Sequence, residues 1–262
     1  MAGKIITITS GKGGVGKTTT TANLSLAMAL LGKRVICIDA DIGLRNLDVM
    51  LGLENRIVYD IVNVIEGRCA LQKALVRDKR FSELFLLPAA QTRDKGDITE
   101  DDMNRIAHEA AEIADYVFID SPAGIEHGFR YAIKPADLVL IVTYPEVTAV
   151  RDADRVIGLL EASDHTPAKL IINRIKPELV KRNEMLDADA IVDLLAIDLI
   201  GIVPEDSMIL AAANRGQPVV LDTHSSAGQV FLEIARRLNG EDVPFSPLKE
   251  PSILQRLFGS LK

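Results

Sequence analysis

The chain has 262 residues, of which 48% are hydrophobic and 26% are charged, and its formal net charge is −7. This composition excludes fibrous, disordered and disulfide-scaffold proteins, and the acidic balance argues against general nucleic-acid binding, so no nucleic-acid partner is expected. The two cysteines, Cys37 and Cys69, are far apart and lack the spacing of a metal or redox motif, which favours a reducing compartment.

Short apolar runs alternate with longer helical patterns along the chain. Most runs are continuously apolar, as is typical of parallel strands covered on both faces. Strands are predicted at residues 5–9, 35–38, 84–87, 117–119, 138–142, 170–172 and 199–203, and helices at residues such as 18–31 and 99–113. The pattern predicts an α/β fold: a doubly wound, mostly parallel sheet of about seven or eight strands with helices on both faces.

A glycine-rich loop follows the first predicted strand and satisfies the pattern GxxxxGK[ST] of a P-loop NTPase. It comprises Gly11, Lys12, Gly13, Gly14, Val15, Gly16, Lys17 and Thr18, with Thr19 next. Backbone N–H groups of such a loop bind phosphate oxygens, the lysine reaches the β and γ phosphates, and the threonine hydroxyl can ligate Mg²⁺.

The same loop also fits the dinucleotide pattern GxGxxG, with Asp39 ending the second strand where a ribose-binding acid would lie. A dinucleotide site has no need of Lys17 followed by Thr18, whereas a triphosphate with Mg²⁺ needs both. The triphosphate interpretation is therefore favoured over NAD.

Acidic residues follow two of the predicted strands. Asp120 ends the strand at 116–120, the position of a Walker B carboxylate that holds Mg²⁺. Asp39 and Asp41 end the second strand and point the same way if the extended geometry continues. In the loop after Asp120, Gly124 could bring a backbone amide to the γ phosphate. These residues predict hydrolysis of a magnesium-bound triphosphate.

Lys12 gives the loop the form KGGVGKTT, which resembles the deviant Walker A family of ParA-like and MinD-like ATPases. Further resemblance to the MinD-like branch occurs in the same order along nearly the whole chain. The similar segments are 38–48, 58–67, 87–95, 120–126, 145–155 and 203–206.

This resemblance implies a Mg²⁺-dependent ATPase that forms an ATP-dependent homodimer. It further implies that Lys17 and Thr18 bind phosphate and Mg²⁺, that Lys12 acts across the dimer on the partner's nucleotide, and that Asp41 positions the attacking water. Asp39 and Asp120 would support the metal, and Asn46 would report the nucleotide state.

The resemblance also implies that Asn173 contacts adenine, assisted by backbone near Pro204, Glu205 and Asp206. ATP is favoured over GTP because Asn173 does not begin the guanine-reading NKxD pattern. The family's iron–sulfur branch is excluded, because Cys37 lies within a predicted strand and Cys69 has no partner.

The resemblance implies the partners as well: a MinC-like division inhibitor and a MinE-like ATPase activator. A helix face carrying Arg151, Asp152 and Asp154 resembles part of the family's surface for such partners. The expected role is a nucleotide-timed switch in division-site selection.

The C-terminal segment 252–262 has helical apolar spacing, and residues 244–251 form a proline-containing linker after a nucleotide-binding domain at 1–243. One face of the predicted helix is apolar, and Arg256 and Lys262 can meet anionic lipid headgroups. One tail binds marginally, whereas two tails on a dimer act together. The apolar residues are Ile253, Leu254, Leu257, Phe258 and Leu261.

The expected location is therefore cytoplasmic, with reversible binding to the cytoplasmic face of the cell membrane. Two alternatives remain. A ParA-like partition ATPase would bind DNA as a dimer and would need a basic patch. A metabolic ligase such as dethiobiotin synthetase would use the same loop but needs an acceptor pocket.

Overall fold

The computed structural model describes residues 2–91, 98–163 and 167–247. Within them, eight strands form one sheet in the order β3-β4-β2-β5-β1-β6-β7-β8. All neighbouring pairs are parallel except β3 and β4, which are antiparallel. The strands are β1 (Lys4–Thr9), β2 (Val35–Asp39), β3 (Val76–Arg77), β4 (Leu84–Leu87), β5 (Tyr116–Asp120), β6 (Leu138–Thr143), β7 (Ala168–Ile175) and β8 (Leu199–Pro204).

Helices cover both faces of this sheet. The helix α1 packs with α11 on one face, while α5, α6 and α7 pack on the other. The helices are α1 (Lys17–Leu30), α2 (Leu47–Leu51), α3 (Ile61–Ile65), α4 (Leu71–Ala74), α5 (Glu100–Ile113), α6 (His127–Ile133), α7 (Val147–Ala162), α8 (Pro177–Lys181), α9 (Ala188–Leu195), α10 (Met208–Ala213) and α11 (Ser226–Leu238). Among them, none combines the length and apolar character that a membrane crossing needs.

The doubly wound fold predicted from the sequence is confirmed, and each of the seven predicted strands is present. The prediction omitted β3, which has only two residues and therefore shows no hydrophobic period. Helix α5 begins one residue later than predicted because Thr99 is its N-cap: the Thr99 hydroxyl accepts from the Asp102 N–H in a capping box.

The parallel strands give the sheet a carboxyl-end edge and an amino-end edge with different contents. At the carboxyl-end edge, Asp39 and Asp120 are register partners on the neighbouring strands β2 and β5. Because ligands in open α/β sheets bind beyond the carboxyl ends of strands, this edge is the candidate site.

At the amino-end edge lies the segment after α11. Residues 241–247 form no helix or strand, and the Arg237 guanidinium donates to the carbonyls of Val243 and Pro244. The predicted linker thus begins with residues that are bound to the domain. The predicted membrane helix at 252–262 lies outside the described residues.

Candidate nucleotide site

The loop between β1 and α1 adopts a conformation that depends on glycine. Gly14 and Gly16 have φ angles of +79° and +102°, in the left-handed region that strains other residues. A Cβ atom at Gly16 would lie 2.3 Å from Nδ2 of Asn173. The loop therefore leads into the amino end of α1 with its backbone exposed at Gly13 and Gly14, as a phosphate-binding loop requires.

Lys17, the first residue of α1, is only 8% exposed. Burial lowers the pKa of its ammonium group, while the charges of Asp120 and Asp41 act in the opposite direction. Burial removes water from the ammonium group. The negative phosphates of a bound nucleotide would compensate for this lost hydration and favour the charged form of Lys17.

Asp120 lies at the end of β5 and contacts two hydroxyl groups of α1. Thr21 Oγ1 donates to its Oδ1 at 3.0 Å, and Thr18 also hydrogen-bonds to its carboxylate. Burial raises the pKa of Asp120, and the hydrogen bonds and Lys17 oppose this effect.

The Thr18 hydroxyl and the Asp120 carboxylate fit the hard oxygen ligands that Mg²⁺ prefers. Within the described ranges, no cluster of three or more His, Cys, Asp or Glu side chains could hold a metal ion. This donor set therefore suits a Mg²⁺ ion that takes its remaining ligands from phosphate and water.

Asp39 fixes the backbone of the loop that leads from β2 to α2. Its Oδ1 accepts from the Asp41 N–H at 3.0 Å and its Oδ2 accepts from the Leu47 N–H at 3.1 Å. Burial, together with the charge of Asp120, raises the pKa of Asp39. In this structure Asp39 thus acts as a positioning group for Asp41, and its predicted support of the metal stays a prediction.

Asp41 is half-buried, whereas Asp39 and Asp120 are each 1% exposed. Of the three carboxylates, that of Asp41 is therefore the most accessible to a water molecule at this edge. Asn46 is exposed immediately before α2, and its side chain does not cap that helix.

The loop after β5 is tied to the start of the phosphate loop. Ser121 Oγ donates to Thr9 Oγ1 at 2.9 Å, and the Gly124 N–H donates to the Ser10 carbonyl at 3.4 Å. Gly124 has a φ of +92°. Its amide would exchange the long bond to Ser10 for one to a phosphate if the predicted contact forms.

Asn173, which is predicted to contact adenine, is hydrogen-bonded to the phosphate loop in this structure. Asn173 is 3% exposed, donates from Nδ2 to the Val15 carbonyl at 2.8 Å and accepts from the Arg174 N–H at 3.0 Å. Its side chain thus holds the phosphate loop against β7, and adenine contact stays a prediction.

The segment from Pro204 to Asp206 joins β8 to α10. The Glu205 N–H donates to the Ile175 carbonyl at 2.9 Å. Asp206 accepts from the Ser225 hydroxyl at 2.7 Å and the Met208 N–H at 2.9 Å. Burial acts to raise the pKa of Asp206, but the hydrogen bonds outweigh it and hold the pKa below its ordinary value.

Lys12 has partners that the sequence reasoning missed. Its Nζ lies 3.3 Å from both carboxylate oxygens of Glu146 and 2.9 Å from Thr148 Oγ1. The Tyr144 hydroxyl also donates to Glu146. Hydrogen bonds from Thr148 and Lys12 lower the pKa of Glu146. Their position in the sequence could have indicated this contact, because Glu146 and Thr148 closely follow β6 at the carboxyl-end edge.

The predicted partner surface on α7 adjoins the phosphate loop. Arg151 and Asp154 are exposed, and Asp152 is half-buried. A Cβ atom at Gly11 would lie 2.2 Å from the Asp152 carbonyl oxygen, so α7 packs directly against the loop. A partner bound to α7 would therefore lie beside the candidate nucleotide site.

Comparison with known proteins agrees with this geometry. Residues 6–219 match the family model of the CobQ/CobB/MinD/ParA nucleotide binding domain. The chain is 55% identical to the septum site-determining protein MinD of Synechocystis over 92% of this chain and 91% of that protein.

Two solved structures are also similar. The first, a MinC:MinD cell division protein complex from Aquifex aeolicus, has 53% identity, a TM-score of 0.86, and coverage of 93% of this chain and 98% of that chain. The second, MinD of Pyrococcus horikoshii complexed with Mg-ADP, has 27% identity, a TM-score of 0.81, and coverage of 90% and 96%.

Proposed function

The chain belongs to the MinD/ParA family of nucleotide-binding proteins, and from that premise we propose that it is an ATP-hydrolysing switch for division-site selection. It dimerises with ATP, binds the cytoplasmic face of the cell membrane through its C-terminal helix and recruits a division inhibitor. The observation that carries the proposal is the convergence of Lys17, Thr18, Asp41 and Asp120 at one edge of the sheet.

In the proposed reaction, ATP and water give ADP and phosphate. The loop backbone and Lys17 hold the β and γ phosphates, while Thr18 and Asp120 would hold Mg²⁺, which neutralises phosphate charge when bound. Asp41 orients the attacking water, and Asp39 fixes the backbone N–H of Asp41 through the bond described above.

Dimerisation is proposed to involve Lys12. This side chain is 37% exposed and pairs with an equally accessible Glu146, so the pair costs little to exchange. Lys12 could therefore leave Glu146 for the phosphates of a nucleotide bound to the partner subunit. The neighbouring Val147 side chain is 61% exposed, which supports apolar contact at the same surface.

The partners are proposed from the relatives and the surface. A structural relative is a complex of MinC with MinD, and the corresponding partner here is a MinC-like inhibitor. A MinE-like activator would reset the switch. Arg151 and Asp154 on α7 are exposed beside the phosphate loop, where a bound partner could influence hydrolysis.

The experiment that tests this function is cosedimentation with vesicles in ATP, in ADP and without nucleotide. Binding should require ATP and should be lost when residues 252–262 are deleted, because two tails on a dimer are needed for useful affinity. Phe258→Glu should also lose binding. Leu194→Glu is the matched control, because Leu194 is an exposed apolar residue on α9.

Equal vesicle binding by the intact and the tail-deleted chain would overturn the membrane role. ATP-dependent binding of DNA by the tail-deleted chain would then favour a ParA-like partition ATPase.

A further inference from the structure

An open cleft of about 450 Å³ lies beside β3, the outermost strand of the sheet, away from the candidate nucleotide site. Four of its lining residues are basic and one is acidic. The lining residues are Arg56, Arg77, Asp78, Lys79, Arg80 and Ser82.

The acidic residue does not neutralise the whole cleft, because it is paired with one arginine. The Asp78 side chain is fully buried and accepts from Arg80 Nη2 at 2.8 Å. Arg80 also donates to the carbonyls of Leu51 at 2.8 Å and Gly216 at 3.1 Å. Arg80 is therefore a structural residue, and the positive charges of Arg56, Arg77 and Lys79 remain.

Two of these cations are held in place by backbone carbonyls. Arg56 Nη1 donates to the Arg77 carbonyl at 2.7 Å, and Arg77 Nε donates to the Ser82 carbonyl at 3.0 Å. These bonds leave both terminal nitrogens of Arg77 for a ligand. Lys79 is exposed and makes no hydrogen bond or ion pair within the described part of the chain.

Two further carboxylates lie close in sequence to the lining residues, and each accepts a hydrogen bond from a neutral side chain. Glu54 accepts from the Asn55 side chain at 3.1 Å, and Glu83 accepts from the Ser82 hydroxyl at 3.3 Å. The cleft thus joins a fixed arginine fork to two further cations. Such a fork matches the paired oxygens of a phosphate group.

The cleft and the segment that leads to the tail lie at the same edge of the sheet. Arg77 pairs with Phe85 near the beginning of β4, so the turn at 78–83 lies at the amino-end edge. A pocket at this edge is lined by Asp242, Val243 and Phe245 together with the first residues of β1, β6 and β8, which are Lys4, Leu138 and Leu199. Four strand intervals separate β4 from β6, or about 20 Å.

We propose that this cleft binds the phosphate group of an anionic phospholipid, so that the folded domain has its own contact with the membrane that the tail reaches. The inference rests on the proposed membrane function. A lipid phosphate is favoured over a soluble one because the cleft is open and shares its edge with the linker, where a headgroup at the membrane surface is within reach.

The test uses the full chain with ATP and vesicles that contain phosphatidylglycerol and phosphatidylcholine. The double variant Arg77→Gln/Lys79→Gln should bind about fivefold more weakly for each charge removed. The matched control is Lys181→Gln/Arg182→Gln, which removes the same charges from exposed residues at the end of α8. Helix α8 follows the carboxyl end of β7, so these residues lie toward the opposite edge of the sheet, and the control should change the affinity less than about twofold.

Two further arms separate a phosphate site from general electrostatic attraction and from folding defects. Arg77→Lys preserves the charge but not the fork, and it should still weaken vesicle binding. Lys79→Gln removes a residue without described contacts, so its effect cannot come from unfolding. Titration with inorganic phosphate and a thermal melt complete the set.

Equal binding by the cleft variant and the control overturns this inference alone. Binding of inorganic phosphate that depends on Arg77, with unchanged vesicle affinity, also overturns the lipid assignment in favour of a soluble phosphate. A parent chain that does not bind vesicles in ATP overturns both this inference and the proposed function.

Discussion

The two edges of the sheet use charge in opposite ways. At the carboxyl-end edge, Lys17, Asp39 and Asp120 are almost completely buried, and their pKa values are shifted by burial and by one another. At the amino-end edge, Arg77 and Lys79 are exposed. Buried charges must be paired or hydrogen-bonded, whereas the attraction between exposed charges and an anion weakens with salt. The first edge suits a switch and the second suits a surface contact.

The largest expected effect concerns the nucleotide edge. Asp41→Ala should lower ATP turnover by about 10²–10⁴-fold, the usual contribution of a group that acts on the attacking water. ATP affinity should change little because the loop and Lys17 remain. Phosphate release and titration with a fluorescent ATP analogue measure the two quantities. Asp193→Ala, at an exposed position on α9, is the control, and parental turnover in Asp41→Ala would refute the assignment.

The next effect concerns the dimer. Lys12→Ala should weaken ATP-dependent dimerisation at least about tenfold, because a hydrogen bond to a charged group contributes about 1.5–3 kcal/mol. The monomer should stay folded, since Lys12 and Glu146 are both more than one-third exposed. Light scattering measures the dimer. Unchanged dimers together with unchanged turnover would leave Lys12 as surface charge.

At the amino-end edge, Asp78 is buried and paired, as the charged residues of the carboxyl-end edge are, so its replacement should destabilise the fold. Asp78→Asn should reduce the free energy of unfolding by about 2 kcal/mol, because Arg80 would lose its carboxylate partner. The melting temperature should fall by about 4–8 °C for a chain of this size. Circular dichroism melts measure this shift.

The same variant has a defined pH dependence. Burial acts to raise the pKa of Asp78, but hydrogen bonds and the charge of Arg80 outweigh it and lower the pKa. Stability from this group is therefore complete above its unfolded pKa of about 3.9 and is lost as the pH falls through the folded value. The difference between parent and Asp78→Asn should be full at neutral pH and should close below about pH 4. A difference independent of pH would contradict the pairing.

The smallest expected effect concerns the linker. Arg237 donates to the carbonyls of Val243, Pro244 and Ile200 and lies over the Phe245 ring at 4.2 Å. Arg237→Gln should speed hydrogen exchange at residues 243–246, which Arg236 does not contact, while lowering the global free energy of unfolding by about 1 kcal/mol. Arg236→Gln, which removes an exposed pair with Glu241, is the control. Equal exchange in both variants would show that Arg237 does not hold the linker.

The features predictable from the sequence are those written in a local pattern. Continuous apolar runs predicted seven strands, and the GxxxxGK[ST] motif predicted a phosphate loop between β1 and α1. The two-residue β3 has no period to detect, and it is the strand that carries Arg77.

Contacts between distant segments were not predictable in the same way. The Asn173 bond to the Val15 carbonyl joins residues 158 apart, and the bonds from Lys12 to Glu146 join residues 134 apart. Such contacts depend on the strand order, which no short window contains. Asn173 and Lys12 could therefore be named from the sequence as candidate site residues, but the contacts that each of them makes could not be predicted.

The most direct test of the switch follows vesicle release as ATP is consumed. The parent chain and Asp41→Ala are bound to phosphatidylglycerol vesicles with a limited amount of ATP, and bound protein is measured over time. If hydrolysis at the carboxyl-end edge controls the membrane contact, the parent dissociates as phosphate appears while Asp41→Ala stays bound. Release of both proteins at the same rate would contradict that coupling.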